Sequence, residues 1–248
     1  VEELIKKADI AMYEAKKTGK NRIEFYDSTV ETGSIKRLDL EKKMRNATMD
    51  ACREFVVHFQ PIMGPDGACQ GAEALVRWRA DGMGLISPIE FIPLAEYLGL
   101  INPIGDFVLN EACRHLKYWN DMGHPNYQVN VNLSVVQLLQ NDIVDKIRQV
   151  ITREQIIPHN LVLEVTESLA VNDMPRMQKI LAEIKQLGVR VAMDDFGTGY
   201  SSLNHIREMP FDIIKIDRCF VIDLGRDDFS DSFVKMVAEL AATIGVIV

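Results

Sequence analysis

Polar residues recur in this chain at places where buried strands should be apolar. Glu73 ends the apolar run of GAEALVRW, Asn130 and Asn132 alternate with Val129, Val131 and Leu133, and Glu164 sits inside LVLEV. Asp194 and Asp195 close RVAM, while Lys215 and Asp217 interrupt IIKID. A charge inside a strand covered on both faces is costly unless it is paired, metal-bound or catalytic. A single buried Glu on a strand is more often a structural ion pair or a hydrogen-bond partner, and Lys215 with Asp217 alone reads as a core salt bridge. As a set, with one at the end of almost every strand, they read as a single functional site.

The donors are carboxylate and amide oxygens without a matching His or Cys cluster, which suits Mg²⁺, Mn²⁺ or Ca²⁺ better than zinc. An Asp194–Asp195 pair could bridge two divalent ions, an arrangement that activates water and stabilises the oxygens of an in-line phosphoryl displacement. Both can reach one site only if the strand ends there, because successive strand residues face opposite sides. Lys215 could orient the water or neutralise phosphate charge. A lysine ending a barrel strand is also how Schiff-base aldolases are built, with Lys215 as nucleophile, although the neighbouring acids argue against it. The histidines, His58, His115, His124, His159 and His205, show no mutual spacing and read as structural or exposed.

Positioning these residues requires a strand and helix alternating every 20 to 30 residues or so, which predicts an α/β fold of parallel βα units. Strands are expected at FVVHFQPI, GAEALVRW, QVNVNLS, LVLEVTES, RVAMDDFG, DIIKIDR and, cut short, VIV; a charged amphipathic helix is expected over IKRLDLEKKMRNATMDACREF, and further helices near 90–98, 104–121, 142–153, 175–187 and 230–244. This favours a barrel, whose strand carboxyl ends form the one face where sites are built, over an open doubly wound sheet. Spacing alone leaves both open. No GxGxxG follows a first strand, so the dinucleotide-binding variant loses its main support. The polar stretch DSTVETGS near 28–35 lacks apolar periodicity and reads as a linker, assigned to residues 29–37, between a small segment 1–28 and a main domain 38–248.

Composition narrows the partners. In 248 residues, 28 Lys and Arg face 36 Asp and Glu, giving a formal charge of −8, a poor match to DNA. An anionic ligand therefore needs a local cationic site or a metal ion. No apolar run approaches the roughly 20 residues that cross a bilayer, so no transmembrane segment is expected in this stretch; a cytoplasmic location is expected, with membrane tethering of the parent through an upstream region left open. Cys52, Cys69, Cys113 and Cys219 show no CxxC spacing and read as reduced thiols.

GAEALVRW, VNVNLS, LEVTES, DDFGTGYSSL and IKIDR, in this order, closely resemble the EAL-domain family of cyclic di-GMP phosphodiesterases, and the resemblance runs from about residue 38 to the C-terminus. It implies a TIM-like (β/α)8 barrel that hydrolyses cyclic di-GMP to linear pGpG with Mg²⁺ or Mn²⁺ in a two-metal site. On the motif residues, it implies metal ligands at Glu73, Asn132, Glu164 and Asp194, with Asp195 at the second ion. Lys215 and Asp217 take catalytic places, Arg77 and Gln60 contact substrate, and Glu167 steadies the loop after Asp195. That loop, DFGTGYSSL, is linked in the family to dimerisation, so a homodimer is expected. A non-catalytic cyclic di-GMP sensor is the rival reading.

The segment ADIAMYEAKKTGKNRIEFYD resembles the closing helix and strand of GGDEF domains. A chain beginning without Met and stopping at ATIGVIV, before the family's AEGVE-type motif, reads as a piece of a longer protein. By itself that piece is expected to be poorly stable and nearly inactive, and the functional reading applies to its parent.

Overall fold

The computed structural model describes residues 28–167, 173–198 and 209–248, together with Ala8. The GGDEF-like helix and strand, residues 168–172 and most of the DFGTGYSSL loop lie outside the described residues. The stretch read as an aperiodic linker is helical: α1 spans Ser28–Met49. Its second half explains why. Leu40, Met44 and Ala47, spaced four and three apart, are buried against the domain, and a docked helix extends backwards through polar residues once its nucleus is formed.

The sheet contains β1 (Phe55–Met63), β2 (Cys69–Ala80), β3 (Gly84–Ile86), β4 (Gln128–Asn132), β5 (Leu161–Thr166), β6 (Arg190–Phe196) and β7 (Ile213–Ile216). Neighbours follow the order β1-β2-β4-β5-β6-β7, with β3 beside β2. From β2 through β7 this path is parallel. β1 is not part of a parallel unit, contrary to the sequence expectation: it pairs antiparallel with β2, Gln60 opposite Glu73, because only residues 64–68 separate the two strands. A crossover to a parallel neighbour needs a dozen residues or more, whereas a short turn permits only a hairpin. The C-terminal VIV lies where it is expected, with Ile247 bridged in parallel to Ile213.

Helices follow the strands as the alternation requires: α2 (Pro88–Tyr97) and α3 (Ile101–Asp121) after β3, the short α4 (Val135–Leu138) and α5 (Ile143–Glu154) after β4, α6 (Met174–Gln186) after β5, and α7 (Arg218–Val221) with α8 (Asp228–Ile244) after β7. Val129, Val131, Leu161, Leu163, Val191 and Met193 are buried in one core with Ile104, Leu116, Ile147, Met177 and Leu181 from these helices. Alternation sends the other residues of the same strands, among them Asn130, Asn132, Glu164 and Asp194, to the opposite face.

One contact decides between barrel and open sheet. Lys215 on β7 lies 3.4 Å from Glu73 on β2. Those strands are four places apart in the sheet, about 19 Å if it were flat, more than the two side chains can span. The sheet therefore curls on itself, and the face opposite the helices is its inside.

Candidate functional site

Strand β4 is the hub of this inner face. Asn130 is paired in register with Glu73 of β2, and Asn132 with Glu164 of β5. Each amide then reaches across to the other carboxylate: Asn132 Nδ2 donates to Glu73 Oε1 at 2.8 Å, and Asn130 Nδ2 donates to Glu164 Oε1 at 2.7 Å. Lys215 closes the group from β7, its Nζ 2.7 Å from Glu164 Oε1, 3.1 Å from Asp194 Oδ1 and 3.4 Å from Glu73 Oε2.

Carboxylate oxygens of Glu73, Glu164 and Asp194 all lie within 4.8 Å of one another. Like charges this close repel, and burial adds to the cost of ionising them. Burial and the Glu73 charge outweigh the attraction of Lys215 and hold the Glu164 carboxyl above the usual carboxylate range. Burial alone would lower the Lys215 ammonium, but Glu164, Asp194 and Glu73 overcome it and hold that pKa well above the lysine norm. Lys215 is thus the positive charge that lets three acids share one space.

The donor set fits a hard divalent cation. It is all oxygen, and Glu164 Oε2 is buried with no hydrogen-bond partner among the described residues. Asn132 commits its nitrogen to Glu73, which leaves the amide carbonyl to coordinate. The residues that could hold an ion are therefore Glu73, Asn132, Glu164 and Asp194.

Strand β6 ends in the way the sequence argument demanded of an Asp pair. Asp195 has φ +56°, in the left-handed region, and the β6–β7 register shifts between Met193 and Phe196. This kink keeps Asp195 at the same end of the sheet as Asp194, where burial and the charges of Asp194 and Asp217 push its carboxyl upward. Asp195 is more exposed than Asp194 and is not one of the three clustered acids. Asp217 falls just past β7 rather than inside a strand. It caps α7, accepting from the Cys219 N–H at 2.7 Å, and hydrogen bonds from the Cys219 side chain and then from its backbone hold the Asp217 carboxyl below the usual range.

Glu167 is buried beyond β5 and accepts a hydrogen bond at 3.1 Å from the Gly197 N–H, tying the end of β5 to the turn after Asp195. That turn is tight. Gly197 has φ +103°, and a Cβ there would lie 2.6 Å from both the Phe220 and Phe233 rings. Gly197→Ala is therefore expected to cost about 2 kcal/mol or more from backbone strain and overpacking. Urea unfolding compared with the parent checks this, and an unchanged midpoint would contradict it.

Arg77 lies four residues beyond Glu73 on β2, hence on the same face, and donates to its neighbour's carbonyl, Val76 O, at 2.9 Å. Gln60 stands directly across from Glu73 on β1 and is exposed. All ten site residues expected from the sequence therefore lie at one end or on one face of the sheet. Asn130 is the residue to which the residue types alone assign no role: its alternation with valines is visible, but its bond to Glu164 depends on β4 and β5 lying side by side.

The comparisons with known proteins bear on this arrangement directly. The profile of the EAL domain matches residues 42–248. The chain belongs to the EAL-domain family. This EAL chain is 40% identical over 243 residues, 98% of its length and 35% of the relative's, to the bifunctional diguanylate cyclase/cyclic di-GMP phosphodiesterase MucR of Pseudomonas aeruginosa. It is 34% identical over 241 residues, 97% of its length and 36% of the relative's, to the cyclic di-GMP phosphodiesterase PdeR of Escherichia coli. The EAL chain thus spans about a third of the length of the curated relatives it matches. A solved structure of the MucR phosphodiesterase in complex with c-di-GMP superimposes with a TM-score of 0.77 at 40% identity, covering 84% of either chain. The fold is accordingly the TIM-like barrel of EAL domains. Among the described residues, no helix is long and apolar enough to cross a membrane.

Proposed function

We propose that this EAL domain binds cyclic di-GMP and serves a metal-dependent phosphodiesterase that opens one of its phosphodiesters to give linear pGpG. The observation that carries the reading is the Glu73–Glu164–Asp194 cluster, with its buried, partnerless Glu164 oxygen, in a chain of this family. Mg²⁺ or Mn²⁺ suits these hard donors, held by Glu73, Asn132, Glu164 and Asp194, with Asp195 at a second ion. Such ions supply Lewis-acid stabilisation of phosphoryl charge and a hydroxide nucleophile near neutral pH.

The chain's own groups divide the remaining work. Lys215 and Asp217 flank the place of the attacking water, Lys215 offsetting phosphate charge and Asp217 accepting a proton. Arg77 presents a guanidinium fork to the second phosphate, and Gln60 holds the ligand opposite Glu73. Glu167 acts through the Gly197 turn on the placement of Asp195. Dimerisation through the loop after β6 would put the same turn under control of the partner subunit.

The experiment is a chromatographic assay of pGpG from cyclic di-GMP by the protein that carries this chain. Turnover is expected with Mg²⁺ or Mn²⁺, abolished by EDTA and restored by the metal. Tight nucleotide binding with no metal-dependent product would instead establish a sensor.

A further inference from the structure

We infer that Asn130 is a positioning residue for the cation site: it fixes the Glu164 carboxylate so that one oxygen is held by protein donors and the other is left to a divalent ion. The inference rests on the metal-site reading above. Glu164 Oε1 receives both the Asn130 amide at 2.7 Å and the Lys215 ammonium at 2.7 Å, whereas Glu164 Oε2 is buried with no partner among the described residues. A carboxylate gripped twice at one oxygen cannot rotate to exchange its two ends without losing both bonds. Lys215 alone cannot do this, because it is shared with Asp194 and Glu73.

Asn130 is held at a cost that a purely structural residue would not incur. It is 5% exposed, and its Oδ1 has no hydrogen-bond partner among the described residues. Burying an unsatisfied carbonyl is unfavourable, and an apolar residue of similar size at this strand position would remove that cost while leaving Lys215 on Glu164 Oε1. Its register explains the choice of side chain. Asn132 is opposite Glu164 but is used by Glu73, so the grip on Glu164 must come diagonally from the inward position one pleat earlier. Groups that orient metal ligands in this way affect metal affinity and activity by roughly 10- to 100-fold.

The test compares Asn130→Val, which fills the space, with Asn130→Ala, which opens it. Mn²⁺ affinity is read by electron paramagnetic resonance in nucleotide-free protein, alongside melting in EDTA and steady-state hydrolysis. Both variants are expected to bind Mn²⁺ at least tenfold more weakly and to lose kcat at least tenfold with KM within twofold. The melting temperature of Asn130→Val in EDTA should equal or exceed that of the parent. Mn²⁺ affinity within twofold of the parent in either folded variant overturns the inference. Should neither variant fold, the Asn130 side-chain amide resonance of the parent decides: it should shift on Mg²⁺ addition, and an unmoved resonance overturns the inference. Asn130-dependent Mn²⁺ binding without any hydrolysis by the parent would leave this inference standing and remove the phosphodiesterase reading alone.

Discussion

Replacing Glu164 by Gln is expected to reduce hydrolysis about a thousandfold, equivalent to about 4 kcal/mol of lost transition-state stabilisation. The substitution keeps the volume and an oxygen that can still accept from Asn130 and Lys215, yet removes the negative charge at the most buried donor of the cluster. A divalent cation then meets Glu73 and Asp194 as its remaining clustered acids. The melting temperature in EDTA should be equal to or higher than the parent's, because a carboxylate that burial holds above its ordinary pKa is no longer forced to ionise. Activity falling while metal-free stability holds is the pattern of a binding group rather than a scaffold group. Calorimetric Mn²⁺ titration and thermal melting read the two halves separately, and undiminished Mn²⁺ affinity would refute the assignment.

Lys215→Met is expected to act in the opposite sense. Without the ammonium, three carboxylates face one another with no other ion-pair partner among the described residues, and breaking a buried pair in this way costs about 3 kcal/mol or more. For a chain of this length that lowers the melting temperature in EDTA by roughly 6–12 °C. Saturating Mn²⁺ should restore most of the difference, because a cation can replace the lost charge, and binding to the native state alone stabilises it. Hydrolysis should stay low even when stability is restored, since Lys215 is also proposed to serve the reaction. A variant that melts like the parent in EDTA, or that Mn²⁺ does not rescue, would show that Lys215 does not hold the acids together. Glu164→Gln and Lys215→Met touch the same charge cluster, so their effects should be strongly non-additive.

Much of this site is legible in the sequence because each acid breaks the apolar rule of a buried strand. Glu73, Glu164, Asp194 and Lys215 could be named from that alone, and the strand limits agree with the expectation within a few residues. Their convergence was not legible, since the pairing of β7 with β2 side chains depends on the curl of the sheet. The antiparallel course of β1 was encoded in the short 64–68 connection, but the strand-helix rhythm elsewhere masked it. The helical course of residues 28–34 could not be read locally, because the docked residues Leu40, Met44 and Ala47 lie turns further on, in the part already expected to be helical. Asn130 looked like half of an Asn-Val alternation, and its partner 34 positions later appears only once β4 and β5 are side by side.

The central claim is that Glu73, Asn132, Glu164 and Asp194 hold a divalent cation where cyclic di-GMP is cleaved. Anomalous diffraction at the manganese edge, from crystals of the protein grown with Mn²⁺ and cyclic di-GMP, tests it most directly. The expected result is a manganese peak bounded by these four side chains, with Glu164 Oε2 as a ligand and a phosphate of the nucleotide against it. Manganese bound elsewhere, or nucleotide seated with no peak among these residues, would contradict the account.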